Sequence, residues 1–385
     1  MFSNRTNWNL APNRLSEALS QRRSRLQPIF DLTASNPTEC GFQYDTEAIL
    51  RALQNPEVIS YQPDPKGFAS ARSAVAEYYR NRGVEIPPGD IILTTSTSEA
   101  YSFVFRTLCN PREELLVPSP SYPLFEYLAD IQDIALSPYP LVYDHGWQLD
   151  FHALQKSITE RTRGIIVVNP NNPTGSYIKR AELEILNAIC MERGIAIIAD
   201  EVFWDFALDA SPTWSFAGNN NSLTFTLSGL SKISGLPQMK AAWLAASGPE
   251  GMKSQAIERL EIIADTFLSL NTPVQLALPV FLSQHGFFHK QVMARVQNNL
   301  AMLDRQLALK KSVSRLRVEG GWYAVLRVPV TRSDEDLSVA LLEEKGVYVH
   351  PGHFYNFPSE GYIVLSLIVA EGEFAEGVTR LLPFL

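Results

Sequence analysis

Short unbroken apolar runs alternate with stretches of helical spacing through the middle of the chain. Ile91-Ile92-Leu93-Thr94, Glu114-Leu115-Leu116-Val117, Arg163-Gly164-Ile165-Ile166-Val167-Val168 and Ile195-Ala196-Ile197-Ile198-Ala199 read as buried strands. Leu223-Thr224-Phe225-Thr226-Leu227 and residues 242–246 complete the set. Between them Ala100, Phe103, Val104 and Leu108 recur at helical spacing, and residues 181–191 read as a helix. Continuous apolar strands separated by helices predict a mainly parallel sheet covered on both faces, with ligands collecting at the carboxyl ends of its strands.

The flanks follow another pattern. Arg22, Arg23 and Arg25 cluster near the end of an N-terminal helix, and Ile29-Phe30-Asp31-Leu32-Thr33 reads as a short extended segment. Residues 46–53 predict a helix. A turn-rich stretch from Ser60 to Gly67 leads into helical spacing at Ala71, Val75 and Tyr79. After Leu282 a long helix is predicted through Val292, Val296, Leu300 and Leu303. Strand-like pieces follow at Val313-Leu316-Val318, residues 322–326 and residues 363–367, and a closing helix spans 373–382. The expected organisation is a large α/β unit over 47–283 and a smaller α+β unit made of 1–46 and 284–385.

With 385 residues and ordinary apolar content the chain can bury a sizeable core. A net charge of -8 argues against a nucleic-acid surface. Cys40, Cys109 and Cys190 show no ligand spacing and are odd in number, which disfavours a disulfide framework or zinc site and favours a reducing, cytoplasmic compartment. The first residues carry no apolar signal core and no run is long enough to span a membrane, so neither a secretory leader nor a membrane partner is expected.

The candidate chemistry lies just beyond the strands. Ser228-Gly229-Leu230-Ser231-Lys232-Ile233-Ser234-Gly235-Leu236-Pro237 places one lysine among turn residues after an apolar run. Desolvation there would lower its pKa and make the amine nucleophilic; the plainer alternative is a surface turn with solvated Lys232 and Lys240. Thr95-Ser96-Thr97-Ser98-Glu99 opens a helix whose free N–H groups suit a phosphate, and it is equally an ordinary Ser96-to-Glu99 capping box. Tyr122 follows a strand and would stack on a flat ring or simply pack on the core. Asn169-Pro170-Asn171-Asn172-Pro173-Thr174-Gly175 is a turn in any case. Asp200-Glu201 close an apolar run and need partners if buried: a protonated ring nitrogen, a helix N-terminus or a salt bridge.

Taken together, in this order, these motifs resemble the fold type I pyridoxal phosphate enzymes, class I/II aminotransferase branch, from about residue 30 to 382. The Asn-Asn-Pro-Thr-Gly turn, the Asp-Glu-Val-Phe run and the Ser-Lys-x-x-Gly-Leu-Pro run carry the resemblance. It implies an aspartate aminotransferase-like large domain with a mainly parallel central sheet and a smaller α+β domain. It implies that Lys232 bonds the cofactor, Asp200 holds the pyridinium proton, Asn172 meets the ring oxygen and Tyr122 stacks on the ring. Ser96, Thr97, Ser98, Ser228 and Lys240 would hold the phosphate. Tyr61 would reach the phosphate in the partner subunit, so a homodimer with shared sites is implied. The implied reaction moves an amino group from an amino acid donor to a 2-oxo acid, with Lys232 as general base and acid.

Departures bear on the substrate. Many members have glycine at Ser96, arginine at Lys240 and tyrosine at Phe203, and the arginine that clamps the substrate carboxylate is replaced by Val364 in Val364-Leu365-Ser366. Either another cation takes that role, among Lys66, Arg327, His350 and His353, or the substrate is an amine or amino sugar. A lyase or decarboxylase would use the same cofactor chemistry. A cofactor-binding regulatory protein is the rival from another class, although the thirty or so residues before the motifs are too few for the usual DNA-binding module and linker.

Overall fold

The computed structural model describes residues 1–209 and 214–385. Its central sheet has eight strands, in the spatial order Ile91–Thr94, Ala242–Ser247, Thr224–Gly229, Ala196–Asp200, Thr162–Val168, Glu114–Ser119, Ala135–Tyr143 and Trp147–Leu149. From Thr224–Gly229 to Ala135–Tyr143 the neighbours pair parallel; Ala242–Ser247 and Trp147–Leu149 pair antiparallel.

Both faces are covered, which is why these strands are apolar throughout rather than alternating. On one face Ile92, Leu244, Phe225, Ile198 and Ile166 meet the helices Thr97–Leu108 and Glu250–Phe267. On the other, Leu93, Trp243 and Ala245 meet Ala69–Arg80 and Thr272–Ser283, while Leu116, Ile165 and Ile197 meet Arg180–Arg193. A second sheet of four strands orders Ser314–Arg315, Tyr323–Arg327, Tyr362–Ser366 and His350–Pro351, all antiparallel. Its core gathers Val292 and Val296 of the helix His285–Leu307 with Trp322, Leu326, Ile363, Phe374 and Val378. The N-terminal strand Phe30–Asp31 pairs with Val347–Tyr348, and Leu32 enters the same core.

The expected elements occur within a few residues of their predicted bounds, with one shrinkage: Val313-Leu316-Val318 contains only the two-residue strand Ser314–Arg315. Ala135–Tyr143 was not anticipated, because Pro138 and Pro140 argue against a strand. It lies next to the sheet's edge, and the three-residue strand beyond it pairs only Leu141 to Tyr143, so the proline-bearing part has a strand partner on one side alone. The helices Glu250–Phe267 and Thr272–Ser283 were likewise unassigned; the second contains Pro279 and an almost continuous apolar run without clear period.

One buried charge network ties the two sheets together at the loop after Asp200. Asp205 accepts from Arg82 Nε at 2.7 Å and from Tyr78 Oη at 2.6 Å, and lies 2.9 Å from His285 Nε2 at the start of the long helix. Burial alone would raise the Asp205 carboxyl, but His285, Arg82 and Tyr78 outweigh it and hold it at about 2. A carboxyl held below its ordinary value of about 4 contributes stability above that pH and loses it as the pH falls towards 2, on the order of 2 kcal/mol here. Asp205→Asn is therefore expected to flatten the acid limb of stability between about pH 4 and 2. Urea midpoints across that range check this; equal acid slopes in the two proteins would refute it.

Candidate active site

Strand register brings the site residues to one edge of the large sheet. Thr94 is paired with Ala242 and Ala242 with Gly229; Leu227 is paired with Asp200 and Asp200 with Val168. A cavity of about 270 Å³ opens there, lined by Ser96, Thr97, Ser98, Tyr122, Asn172, Asp200, Phe203 and Lys232, with Ser35, Val168, Val202, Gly229, Ser231, Ala242 and Tyr323.

Lys232 sits on the one-turn helix Leu230–Ile233, directly after the strand Thr224–Gly229. Gly229 makes that junction possible: a Cβ there would lie 2.8 Å from the Ala242 Cβ and 3.0 Å from the Ala241 carbonyl oxygen. The turn closes at Gly235, whose φ of +64° and contact with the Phe288 ring leave no room for a side chain. Lys232 Nζ lies 5.0 Å from the Trp322 ring centroid and 5.6 Å from that of Phe203. Burial in this setting lowers its pKa to about 8, against the opposing pull of Asp200.

Asp200 ends its strand with Tyr101 Oη donating to one carboxylate oxygen at 2.9 Å and the Val202 N–H to the other at 3.1 Å. Burial nevertheless pushes it up to about 6. The adjacent Glu201 does different work. It accepts from Asn169 Nδ2, Ser215 Oγ and the Phe216 N–H, so of the two acids only Asp200 faces the cavity. The two turn asparagines divide similarly. Asn171 holds the turn through Ser121, Thr174 and the Pro120 carbonyl, whereas Asn172 lines the cavity with its buried Oδ1 unpartnered among the described residues. The Ser96 hydroxyl accepts from Glu99 N at 3.2 Å, but Glu99 turns to Thr95 N instead of back to Ser96, half of the expected capping box. The opening turn of Thr97–Leu108 thus faces the cavity beside Ser98.

Three expected site residues do not line the cavity. Ser228 is buried one residue before Gly229, its hydroxyl 3.4 Å from the Glu201 carbonyl. Lys240 is exposed, at φ +51° after a short turn. Tyr61 is 77 % exposed and lines a separate groove with Leu93, Phe103 and Asn271. Conversely, sequence reasoning missed Tyr101, Tyr323 and Ser35. Tyr101 carries a signal, lying four residues into the cap helix and on its inner face; Tyr323 has none, since it reaches the cavity from the second sheet.

These features fit pyridoxal phosphate: a desolvated amine, a buried acid with no cation nearer than that amine, an open carboxamide, an aromatic face and a helix start for an anion. Fold and cavity thus define an α/β enzyme with a desolvated lysine and a buried acid at the ends of its strands. The profile of the family Aminotransferase class I and II matches residues 28–377, and the chain belongs to that family of pyridoxal phosphate-dependent transaminases. It is 25 % identical over 368 residues to the glutamate-pyruvate aminotransferase AlaA of Haemophilus influenzae, covering 93 % of this chain and 90 % of the relative. It is 28 % identical over 374 residues to the alanine aminotransferase of Mycobacterium bovis, covering 93 % and 85 %. The solved alanine aminotransferase from Pyrococcus furiosus superposes with a TM-score of 0.91 at 24 % identity over 100 % of this chain and 99 % of that one. A Thermus thermophilus aspartate aminotransferase double mutant superposes at 0.87, with 22 % identity and 100 % of both chains. The fold is aspartate aminotransferase-like, as the motifs imply, and the protein is a transferase. Among the described residues no helix is long and apolar enough to cross a membrane, and no metal-binding cluster occurs.

Proposed function

We propose that Lys232 carries the cofactor and that the chain exchanges the amino group of a small α-amino acid, of the alanine or glutamate kind, with a 2-oxo acid. One observation carries this reading: Lys232 and Asp200 line the same cavity, each with its charge disfavoured by burial. The names of the relatives support the substrate kind. When bound, pyridoxal phosphate supplies an electron sink for the bonds at the substrate α-carbon.

The rest falls to the chain's own residues. Asp200, with a cation beside it, ionises and holds the ring nitrogen's proton. Tyr101 and the Val202 N–H fix its direction. Lys232, lowered to about 8, keeps a neutral fraction at neutral pH that moves a proton to and from the substrate α-carbon. Phe203 and Trp322 screen that amine from water. Tyr122 supplies the stacking face, and Asn172 meets the ring oxygen without help from Phe203, which has no hydroxyl. Ser96, Thr97, Ser98 and Ser228 are assigned to the phosphate, with Lys240 as a point charge beside them. Borohydride reduction of the holoenzyme followed by peptide mass spectrometry tests the assignment: the adduct is expected on Lys232, and an adduct on Lys240 or Lys66 would sink it.

The same reading makes the protein a cytoplasmic homodimer in which the exposed Tyr61 serves the partner's phosphate. Tyr61→Phe is expected to weaken cofactor binding by about ten- to a hundredfold, the worth of one hydrogen bond to a charged group. Mixing Tyr61→Phe with Lys232→Ala gives hybrids with one intact and one doubly damaged site. Cofactor affinity that tracks the tyrosine of the same chain would show that the sites are not shared.

A further inference from the structure

Among the described residues the cavity holds one lysine or arginine, Lys232. The place of the carboxylate-binding arginine is taken by Val364, buried opposite Val325 on one neighbouring strand and His350 on the other. None of the other cations stands in for it. Lys66 pairs with Glu261 at 3.4 Å. Arg327 stands between the rings of Tyr143 and Tyr362, 5.8 Å from each centroid. His353 is exposed and outside the cavity lining. Burial lowers the pKa of His350, which keeps it neutral, and its Nδ1 lies 3.1 Å from Tyr355 Oη. The groove around Tyr61, assigned to the partner's site, has no lysine or arginine in its lining either.

What stands there instead is neutral and hydroxyl-rich. Tyr323 is paired with Ser366 and Val325 with Val364; alternate residues share a face, so all four point the same way. Tyr323 and Ser35 both line the cavity. Ser366 Oγ, opposite Tyr323, is buried without a partner among the described residues. A carboxylate entering this space would lose its hydration without gaining a cation, next to Asp200 and the cofactor phosphate, which are already negative. An alcohol or carboxamide donates and accepts here without that cost.

We propose, resting on the transaminase reading above, that Tyr323 with Ser35 holds the substrate's α-substituent through neutral hydrogen bonds, so that the site takes amino alcohols and α-amino amides about as readily as the matching α-amino acids. The exchange balances as in any transamination. The amino compound gives up its amino group and α-hydrogen and gains a carbonyl oxygen from one water; the acceptor takes up that nitrogen and a hydrogen and releases its own oxygen as another water.

Holoenzyme is mixed in single turnover with L-alanine, L-alaninamide and L-2-amino-1-propanol, following loss of the yellow cofactor band. The expected second-order constants for the two neutral compounds exceed that for alanine or fall less than tenfold below it; a preference for alanine of tenfold or more overturns the proposal. Tyr323→Phe is expected to weaken calorimetric binding of unreactive propionamide at least tenfold while leaving the borohydride adduct on Lys232, and unchanged binding overturns the role of Tyr323. Val364→Arg is expected to move the preference towards alanine by tenfold or more. Because Val364 is buried, the Tyr323→Phe result decides if that variant does not fold. Absence of any Lys232 adduct defeats the transaminase reading itself. An adduct without discharge by the neutral compounds overturns this inference alone.

Discussion

Lys232→Ala protein is expected to bind pyridoxal phosphate without a covalent bond and to lose transamination by a factor on the order of 10⁶, the scale of removing a nucleophile or a general base from a site whose groups act as a unit. The side chain takes no part in a hydrogen bond or ion pair among the described residues, so its removal leaves the surrounding network intact. Its apolar neighbours, Trp322 and Phe203, belong to the second core and are held by Phe206 and Phe288 without it. The variant should therefore fold, which circular dichroism and urea unfolding check. Single-turnover absorbance with added amino donor reads the loss. Turnover within a hundredfold of the parent would mean that another amine carries the proton, and Lys232 would lose its assignment.

Asp200→Asn is expected to keep the covalent attachment and lose about two to three orders of magnitude in kcat, the cost of removing one buried electrostatic partner of the reacting system, about 2.7–4 kcal/mol. Asparagine preserves an acceptor for Tyr101 Oη but brings no negative charge to the ring nitrogen. A second readout separates this role from simple packing. Asp200 pulls the Lys232 pKa upward against burial, so without it the amine of the cofactor-free protein should titrate below about 8. Chemical labelling of Lys232 against pH measures that shift. Near-parent turnover with an unmoved titration would show that Asp200 acts on neither group. Asp200→Glu, which keeps the charge but displaces it, should recover part of the rate.

Much of this is legible in the residue order alone. The strands of the large sheet announce themselves because both faces are buried, so each is an unbroken apolar run whose carboxyl end must meet polar turns. That rule alone places Lys232, Asp200, Asn172, Tyr122 and Ser96 at one sheet edge, and the cavity gathers all five. What escaped the sequence has definite causes. Ala135–Tyr143 hides behind prolines that only a part-paired strand tolerates. Glu201 and Asn171 look as reactive as their neighbours Asp200 and Asn172, and one residue of pleat or turn decides which of each pair faces the cavity.

The class of chemistry follows from local residue order, which creates a strand, a glycine-flanked turn and a lysine; such short-range geometry needs little help from the rest of the chain. The electrostatics and the far wall of the cavity come from tertiary packing. The lysine falls to about 8 and the acid rises to about 6 because segments distant in the chain bury them together. Tyr323 reaches the cavity that Ser35 also lines because antiparallel pairing in the second sheet sets it opposite Ser366, far along the chain from the strands of the first. Desolvation and cross-sheet contact depend on all the packed neighbours at once, and no spacing along the chain encodes them.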